Sequence, residues 1–461
     1  MINKNFIIFI ATYIGLRLFS FYLPPGNIIN DLLAVIIIGI TTFYLLKKNY
    51  LAWIIIASEL LLGGSGSYIK FYSLSVRSWL LGISTAIFFF QNIKTITKIL
   101  LNNYYIILLV GIGLFGALIG FKSGNLSARI ISDFVPYLFI LYYFPLQNLI
   151  KNSKFVEVLK SIVLAAIFGQ LVFILFTFFG FNFNFFVLQD IYYHWYRDIA
   201  GGKITYFDQG FYRLILNEQL LLIPAAIWVF SKSIYNLNKY IFLLIPIIIL
   251  LSINFTRIYF LGFIGGILLI MNRENWRRWI KTTVIAAILT VFTFSTLFFV
   301  ASRGKSFGFE IFSSRAQSII KPDTENSSLS RLLLLPKIIE IIQKNTIFGS
   351  GLGSTVTVYS PVLKTNINTP HFDWGYLEIF AELGIIGVII WIVFIAKLIV
   401  LIKKQPVLKA ILTSLLLINL TSPAIFHVFG LILITFLIAY SSDASQELSA
   451  LHPRTSSPSS T

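Results

Sequence analysis

The sequence predicts an all-α, polytopic transmembrane helix bundle of about 12–14 spans with one large extracytoplasmic loop. Three observations lead there. AVILMFWYC residues make up 57% of the 461 positions while charged residues make up 12%. The apolar residues come in runs separated by short polar clips, and the Lys and Arg residues of the clips alternate in number along the chain. A soluble domain of this size keeps a large polar shell, so a cytosolic globular enzyme is excluded, as are a disordered chain and a coiled coil. Cys is absent, which removes disulfides, thiol chemistry and Cys metal sites.

The runs fall at 5–22, 28–46, 51–62, 76–91, 102–121, 130–149, 156–180, 211–231, 239–255, 257–271, 280–300, 374–400, 407–421 and 424–440. The first has a charged start but no small-residue cleavage site, so it reads as a retained helix rather than a signal peptide. The run 51–62 is short for a span and the last two are closely spaced, which allows a count as low as twelve. With the N-terminus inside, alternate counting puts Lys47-Lys48, Lys94/Lys98, Lys151/Lys154, Lys232/Lys239, Arg273/Arg277/Arg278/Lys281 and Lys403/Lys404/Lys409 on the cytoplasmic side. Both termini are then inside. No internal repeat is visible.

Two segments interrupt the rhythm, and both fall outside. Residues 181–210 are aromatic and mixed; residues 301–373 are a polar stretch of roughly 70 residues, longer than an idle connection usually is. Within the latter, RLLLLPKIIEIIQK reads as an amphipathic helix and FGSGLGS as a Gly-rich turn. The chain divides into N-terminal spans (1–300), an extracytoplasmic catalytic loop (301–373), C-terminal spans (374–440) and a Ser/Pro-rich, disordered cytoplasmic tail (441–461).

Few residues carry chemistry. His371 stands where the long loop enters a span, beside Pro370 and two residues before Asp373. An imidazole there acts as a base near neutral pH, or simply caps the helix that follows. Arg257, just inside an apolar run, faces a cavity or snorkels to headgroups. Arg331 opens the loop helix, where a guanidinium and a helix start both suit phosphate, while taken alone a solvated loop Arg is the plainer reading. Arg303, Lys305, Arg315 and Lys321 precede it and make one positive outer surface, part of a formal net charge of +18. Glu59, Arg77, Asp133, Arg213, Glu218, Glu378 and Glu382 are further polar residues in or near spans. Glu378 and Glu382 share a helix face, as do Arg129 and Asp133, and structural pairing is the plainer reading of both. There is no GxxxxGK[ST], HExxH or GxSxG, no paired-Asp motif and no metal-ligand spacing, so neither metal nor cofactor is expected.

These residues together resemble the O-antigen ligase and O-antigen polymerase superfamily of bacterial membrane glycosyltransferases. The pattern is an Arg opening a loop helix (Arg331), a Gly-x-Gly turn (Gly349, Gly351, Gly353) and a His before a span (His371). Glu-x-Gly with a later Gly follows within that span (Glu382, Gly384, Gly387), and Thr256-Arg257 opens an earlier one. ELLLGGSGSYIKFYSLSVRSWL near 59–80 is similar to the family's N-terminal half. Phe372 stands where many members have Asn or Ser after the His, and the Gly and Pro often found after the equivalent of Arg213 are absent.

The resemblance implies transfer of a glycan from an undecaprenyl diphosphate carrier to an acceptor hydroxyl at the periplasmic face of the inner membrane, in surface polysaccharide biosynthesis. The acceptor is a lipid A core, another glycan or a protein. The transfer is inverting and metal-independent, with no cofactor. It implies His371 as the catalytic residue and Arg257 and Arg331 as diphosphate ligands, with Arg213, Arg303 and Arg315 as possible substrate contacts. Beside ligase-type transfer stand a polymerase joining repeat units and, in another class, a flippase or transporter for lipid-linked sugars. A transporter usually shows paired halves and short loops, unlike this chain. The expected partners are the lipid-linked donor, the acceptor and the bilayer, and no nucleic acid.

Overall fold

The computed structural model describes residues 4–185, 190–207, 210–321, 326–360, 364–370 and 372–451; a few side chains within helices, Arg315 among them, lie outside the description. The chain runs through α1 (Lys4–Tyr22), α2 (Ile28–Leu46) and α3 (Leu51–Leu62), then a small hairpin of β1 (Lys70–Phe71) and β2 (Leu74–Ser75). Next come α4 (Val76–Gln91), α5 (Ile96–Asn102), α6 (Tyr104–Lys122), α7 (Ser127–Leu138), α8 (Tyr143–Leu146) and α9 (Ser153–Asn182). The segment that follows holds α10 (Asp190–Asp198), β3 (Gly202–Tyr206) and β4 (Tyr212–Leu216), and leads into α11 (Leu222–Ser233), α12 (Leu237–Asn254), α13 (Arg257–Leu268) and α14 (Trp276–Ala301). The long outer loop folds as α15 (Phe309–Ile320), α16 (Asn326–Lys344), β5 (Val356–Ser360) and β6 (Thr365–Thr369). The chain closes with α17 (Gly375–Leu401), α18 (Pro406–Ile418) and α19 (Val428–Leu451).

Helix starts follow from local sequence. The side chains of Asn27, Ser75 and Asn152 accept hydrogen bonds from the first turns of α2, α4 and α9, and Pro406 occupies the first turn of α18, where its missing N–H costs nothing. Among the described residues, eight helices are long and apolar enough to cross a membrane, or nine if α4 and Ile93–Asn102, bent by 76°, count as one. Four shorter apolar helices (Leu51–Leu62, Arg257–Leu268, Pro406–Ile418 and Val428–Ser441) supply the remaining runs. The protein is thus a polytopic helical membrane protein. The run 211–231 is not one helix: its first part alternates, pairs with β3 as Tyr206↔Tyr212 through Gly202↔Leu216, and only α11 is helical. The run 130–149 is likewise interrupted, with Pro136 and Pro145 inside its short helices.

The 30-residue α9 is the central post, packed against α1, α3 and α12. α13 and α18 lie antiparallel, and Gly262 and Gly266 bring their backbones together against Ile418 and Ser414. Large apolar side chains such as Ile36, Phe43, Ile288, Phe292 and Ile392 remain exposed, as lipid-facing residues of spans must be. Two buried ion pairs hold the N-terminal half. Arg17 meets Glu218 at 2.5 Å and lies over the Tyr13 ring, and Arg77 meets Glu59 at 3.5 Å. Glu218, Glu59 and Arg77 are therefore structural partners.

The outer loop has its own small core: Leu334 and Ile338 of α16, Val356 of β5, Phe372, and Ala381 of α17. The opposite face of α16 is solvated. There Lys344 and Lys337 bond Glu340 at 2.9 and 3.1 Å and hold its carboxyl below the usual range. The amphipathic helix read from RLLLLPKIIEIIQK is α16; the β5–β6 hairpin beside it was not anticipated.

Candidate functional site

The site begins with an exchange of hydrogen bonds between the Gly-rich turn and α17. At Gly384 the backbone leaves the helix (φ 63°, ψ −165°), so the i→i−4 ladder cannot continue. The N–H groups of Ile385 and Ile386 turn instead to the carbonyls of Thr346 and Ile347, at 2.9 and 3.5 Å. The carbonyls of Ala381 and Glu382, which those N–H groups would have used, accept from Ser350 and Gly351 at 2.8 and 2.9 Å. The Ser350 hydroxyl adds a second bond to Ala381. These four backbone groups of α17 thus find partners in the loop. The turn also binds α6 and its end: Leu352 N–H donates to Gly116, and the Asn125 amide donates to Leu352 at 2.9 Å.

This clasp borders a cavity of about 160 Å³ between α7, α17 and the turn after α18. Arg129, Asp133, Glu378, Glu382 and His427 line it, and Pro370 stands on its wall. Asp133 accepts from the Gly353 N–H at 3.0 Å; among the described residues no ion pair joins it to Arg129, although the two are one helical turn apart. Among the described residues Glu378 and Glu382 likewise pair with no Arg. They converge on the cavity with Asp133, which sequence reasoning had treated as a separate pair. His427 was not singled out from the sequence; its only signal was the scarcity of His, four in the chain.

His371 lies outside the described residues. Its neighbours are described: Pro370 borders the carboxylate cavity, and Phe372 is fully buried in the core between α16 and α17. The departure from the family pattern at Phe372 thus supplies an apolar anchor. Asp373 has a left-handed backbone (φ 56°), and the Trp374 indole N–H donates to the Arg331 carbonyl at 3.2 Å, tying the start of α17 to α16. Four buried polar atoms around this junction have no hydrogen-bond partner among the described residues: Arg331 Nε, Ser354 Oγ, Glu378 Oε2 and Asn419 Nδ2. Asn419 belongs here because its side chain lies against Gly375 at the head of α17. Native interiors rarely leave such atoms orphaned, and a ligand or ordered water is the usual explanation.

Arg213 and Arg257 meet at a second junction. The α12–α13 turn passes through Phe255 in a left-handed conformation (φ 44°), and Arg257 begins α13. From β4, Arg213 donates to the Asn254 carbonyl and the Thr256 hydroxyl, both at 2.7 Å. Asn254 is itself held by Gln219. Arg213 is therefore a brace for the residue pair Thr256-Arg257. The antiparallel packing of α13 on α18 puts Arg257 at the same end of the bundle as Asn419 and the head of α17. Arg303 is exposed just after α14 with a left-handed backbone (φ 55°), and Arg315 lies on α15. Among the described residues no hydrogen bond or ion pair joins Arg303 to the junctions just described. Among the described residues no three His, Asp or Glu side chains are grouped so as to hold a metal ion.

Residues 241–392 match a family model described as O-antigen ligase. The match runs from α12 into α17 and takes in Thr256-Arg257, Arg331, the glycine turn and Glu382–Gly384. No curated protein and no solved structure matches the chain.

Proposed function

With the O-antigen ligase family domain at residues 241–392 as the premise, we propose that the protein transfers a glycan from an undecaprenyl diphosphate carrier to an acceptor hydroxyl. The family match supports a membrane glycosyltransferase of the ligase or polymerase type. Donor, acceptor and chemistry are the reading developed here. The observation that carries it is the junction of α16, α17 and α18, where Arg331, Glu378, Ser354 and Asn419 each present a buried polar atom with no partner among the described residues, beside a carboxylate-lined cavity.

In this scheme the acceptor oxygen attacks the anomeric carbon as the bond from that carbon to the diphosphate oxygen breaks, inverting the centre. His371 takes the hydroxyl proton. Undecaprenyl diphosphate departs with the bonding electron pair. Arg257 and Arg331 bind the diphosphate and stabilise the developing charge, as fixed cations can do without a metal. The site faces the periplasm at the inner membrane, and the loop 301–373 serves as the catalytic loop.

The test uses the full-length protein in liposomes with a lipid-linked oligosaccharide and candidate acceptors. Wild type should consume the donor and release undecaprenyl diphosphate, and His371→Ala should not, while inserting and melting like wild type. A His371→Ala protein with normal turnover would remove the catalytic assignment. Products with lengthened repeats on the carrier indicate polymerase chemistry; a glycan moved to a distinct acceptor indicates ligase chemistry.

A further inference from the structure

A larger cavity lies away from these junctions, in the segment between α9 and α11. It measures about 420 Å³, within the range of roughly 300–1,000 Å³ typical of small-molecule sites. Its wall is aromatic: Phe181 from the end of α9 and Phe185 just beyond it, Tyr193 from α10, Tyr206 from β3 and Tyr212 from β4. Phe181 packs on Tyr212 with ring centres 5.5 Å apart, and Tyr206 meets Tyr212 edge-on at 5.1 Å. Yet Tyr206 and Phe185 remain 57% and 49% exposed. Two polar side chains interrupt the wall, the Asn184 amide and the Asp190 carboxylate, and among the described residues no Lys or Arg lines it.

We propose that this cavity is a saccharide-binding subsite for a neutral or amino-sugar ring of the glycan. Pyranose rings have apolar C–H faces and an equator of hydroxyls. Exposed tyrosines suit the first, and an amide with a carboxylate suits the second. The absence of lining cations disfavours a diphosphate or an acidic sugar, so the cavity does not duplicate the arginine junctions. Its position couples it to them. Tyr212 and Arg213 are neighbours on β4, so their side chains leave opposite faces of the hairpin. Tyr212 lines the cavity, and Arg213 grips Asn254 and Thr256 beside Arg257. One strand thus separates the sugar pocket from the proposed diphosphate ligand. The coupling rests on the proposed glycan transfer, but binding of a free sugar does not require it.

The experiment presents the detergent-solubilised full-length protein with a panel of free oligosaccharides, uncharged, amino-sugar and acidic, and reads contact by saturation-transfer NMR. Binding of uncharged or amino-sugar members is expected. Tyr206→Ala should weaken it about tenfold, and Tyr206→Phe, which keeps the ring, should restore it. His371→Ala and Arg257→Ala should bind free sugar like wild type, so a failure of the transfer scheme remains distinct from a failure of this one. In the transfer assay, a raised KM for the lipid-linked donor in Tyr206→Ala assigns the pocket to the donor's glycan. A raised KM for the acceptor assigns it to the acceptor's. No binding by wild type to any member, a preference for the acidic members, or undiminished binding by Tyr206→Ala would overturn the proposal. So would a Tyr206→Ala effect confined to partition into protein-free lipid vesicles, which would make these tyrosines an interfacial belt.

Discussion

Gly349 and Gly384 meet main chain to main chain. A Cβ on Gly349 would collide with the Glu382 carbonyl, and one on Gly384 would collide with the Ile347 carbonyl. Both have positive φ, 75° and 63°. Gly384→Ala therefore combines a glycine-only backbone conformation with a steric clash, at a cost of about 1–3 kcal/mol from the backbone alone. Its melting temperature in detergent should fall, and amide exchange across 346–353 should rise. An unchanged melting curve with wild-type protection would contradict the reciprocal bonding described.

Arg213 acts on Arg257 through the turn between them. Arg213→Ala removes two charge-assisted bonds, each worth about 1.5–3 kcal/mol in such settings. Transfer should drop with the protein still folded, and Arg213→Lys should recover only part of it, because a single ammonium cannot reproduce both forks. Wild-type kinetics in Arg213→Ala would show that the turn holds its shape unaided.

For Arg331 and Arg257 the readout is the donor. Alanine at either position should raise the donor KM and lower kcat, and lysine should rescue poorly if the guanidinium plane grips a phosphate. Full rescue by lysine would reduce both residues to point charges.

Breaking the buried Arg17–Glu218 pair should be costlier than replacing it. Arg17→Met leaves Glu218 buried without its cation, a change worth about 3–5 kcal/mol. The double variant Arg17→Met/Glu218→Leu should recover much of that in a thermal melt. Equal melting temperatures for the single variant and wild type would mean that the pair contributes nothing.

Transfer should persist in EDTA, since the scheme assigns charge neutralisation to arginines. Loss of activity that Mg²⁺ restores would overturn that part of it.

Much of this protein was legible because lipid imposes simple rules. Runs and clips mark helices, and the amphipathic pattern of α16 appears in the structure with Leu334 and Ile338 inside and Glu340 and Lys344 outside. Arg331 could be read as the opening of the loop helix, but not that its Nε would be buried without a partner, since that depends on α17 packing beside it. Glu378 and Asp133 could be seen as polar residues near spans. Their meeting in one cavity could not, because 245 residues of chain separate them. The strand within 211–231 was hidden by its own hydrophobicity: Tyr212–Leu216 is as apolar as a helix turn, and only pairing with β3 makes it a strand.

The clasp has a consequence for what a family signature records. Gly349, Gly351 and Gly384 are specified by atoms they lack, and the bonds they permit are between peptide groups common to every residue. Such a signature registers how two lengths of main chain cross and is indifferent to the cargo handled nearby. Under the proposed glycan transfer, side chains that fit a particular sugar stand outside that crossing, among the tyrosines between Tyr193 and Tyr212.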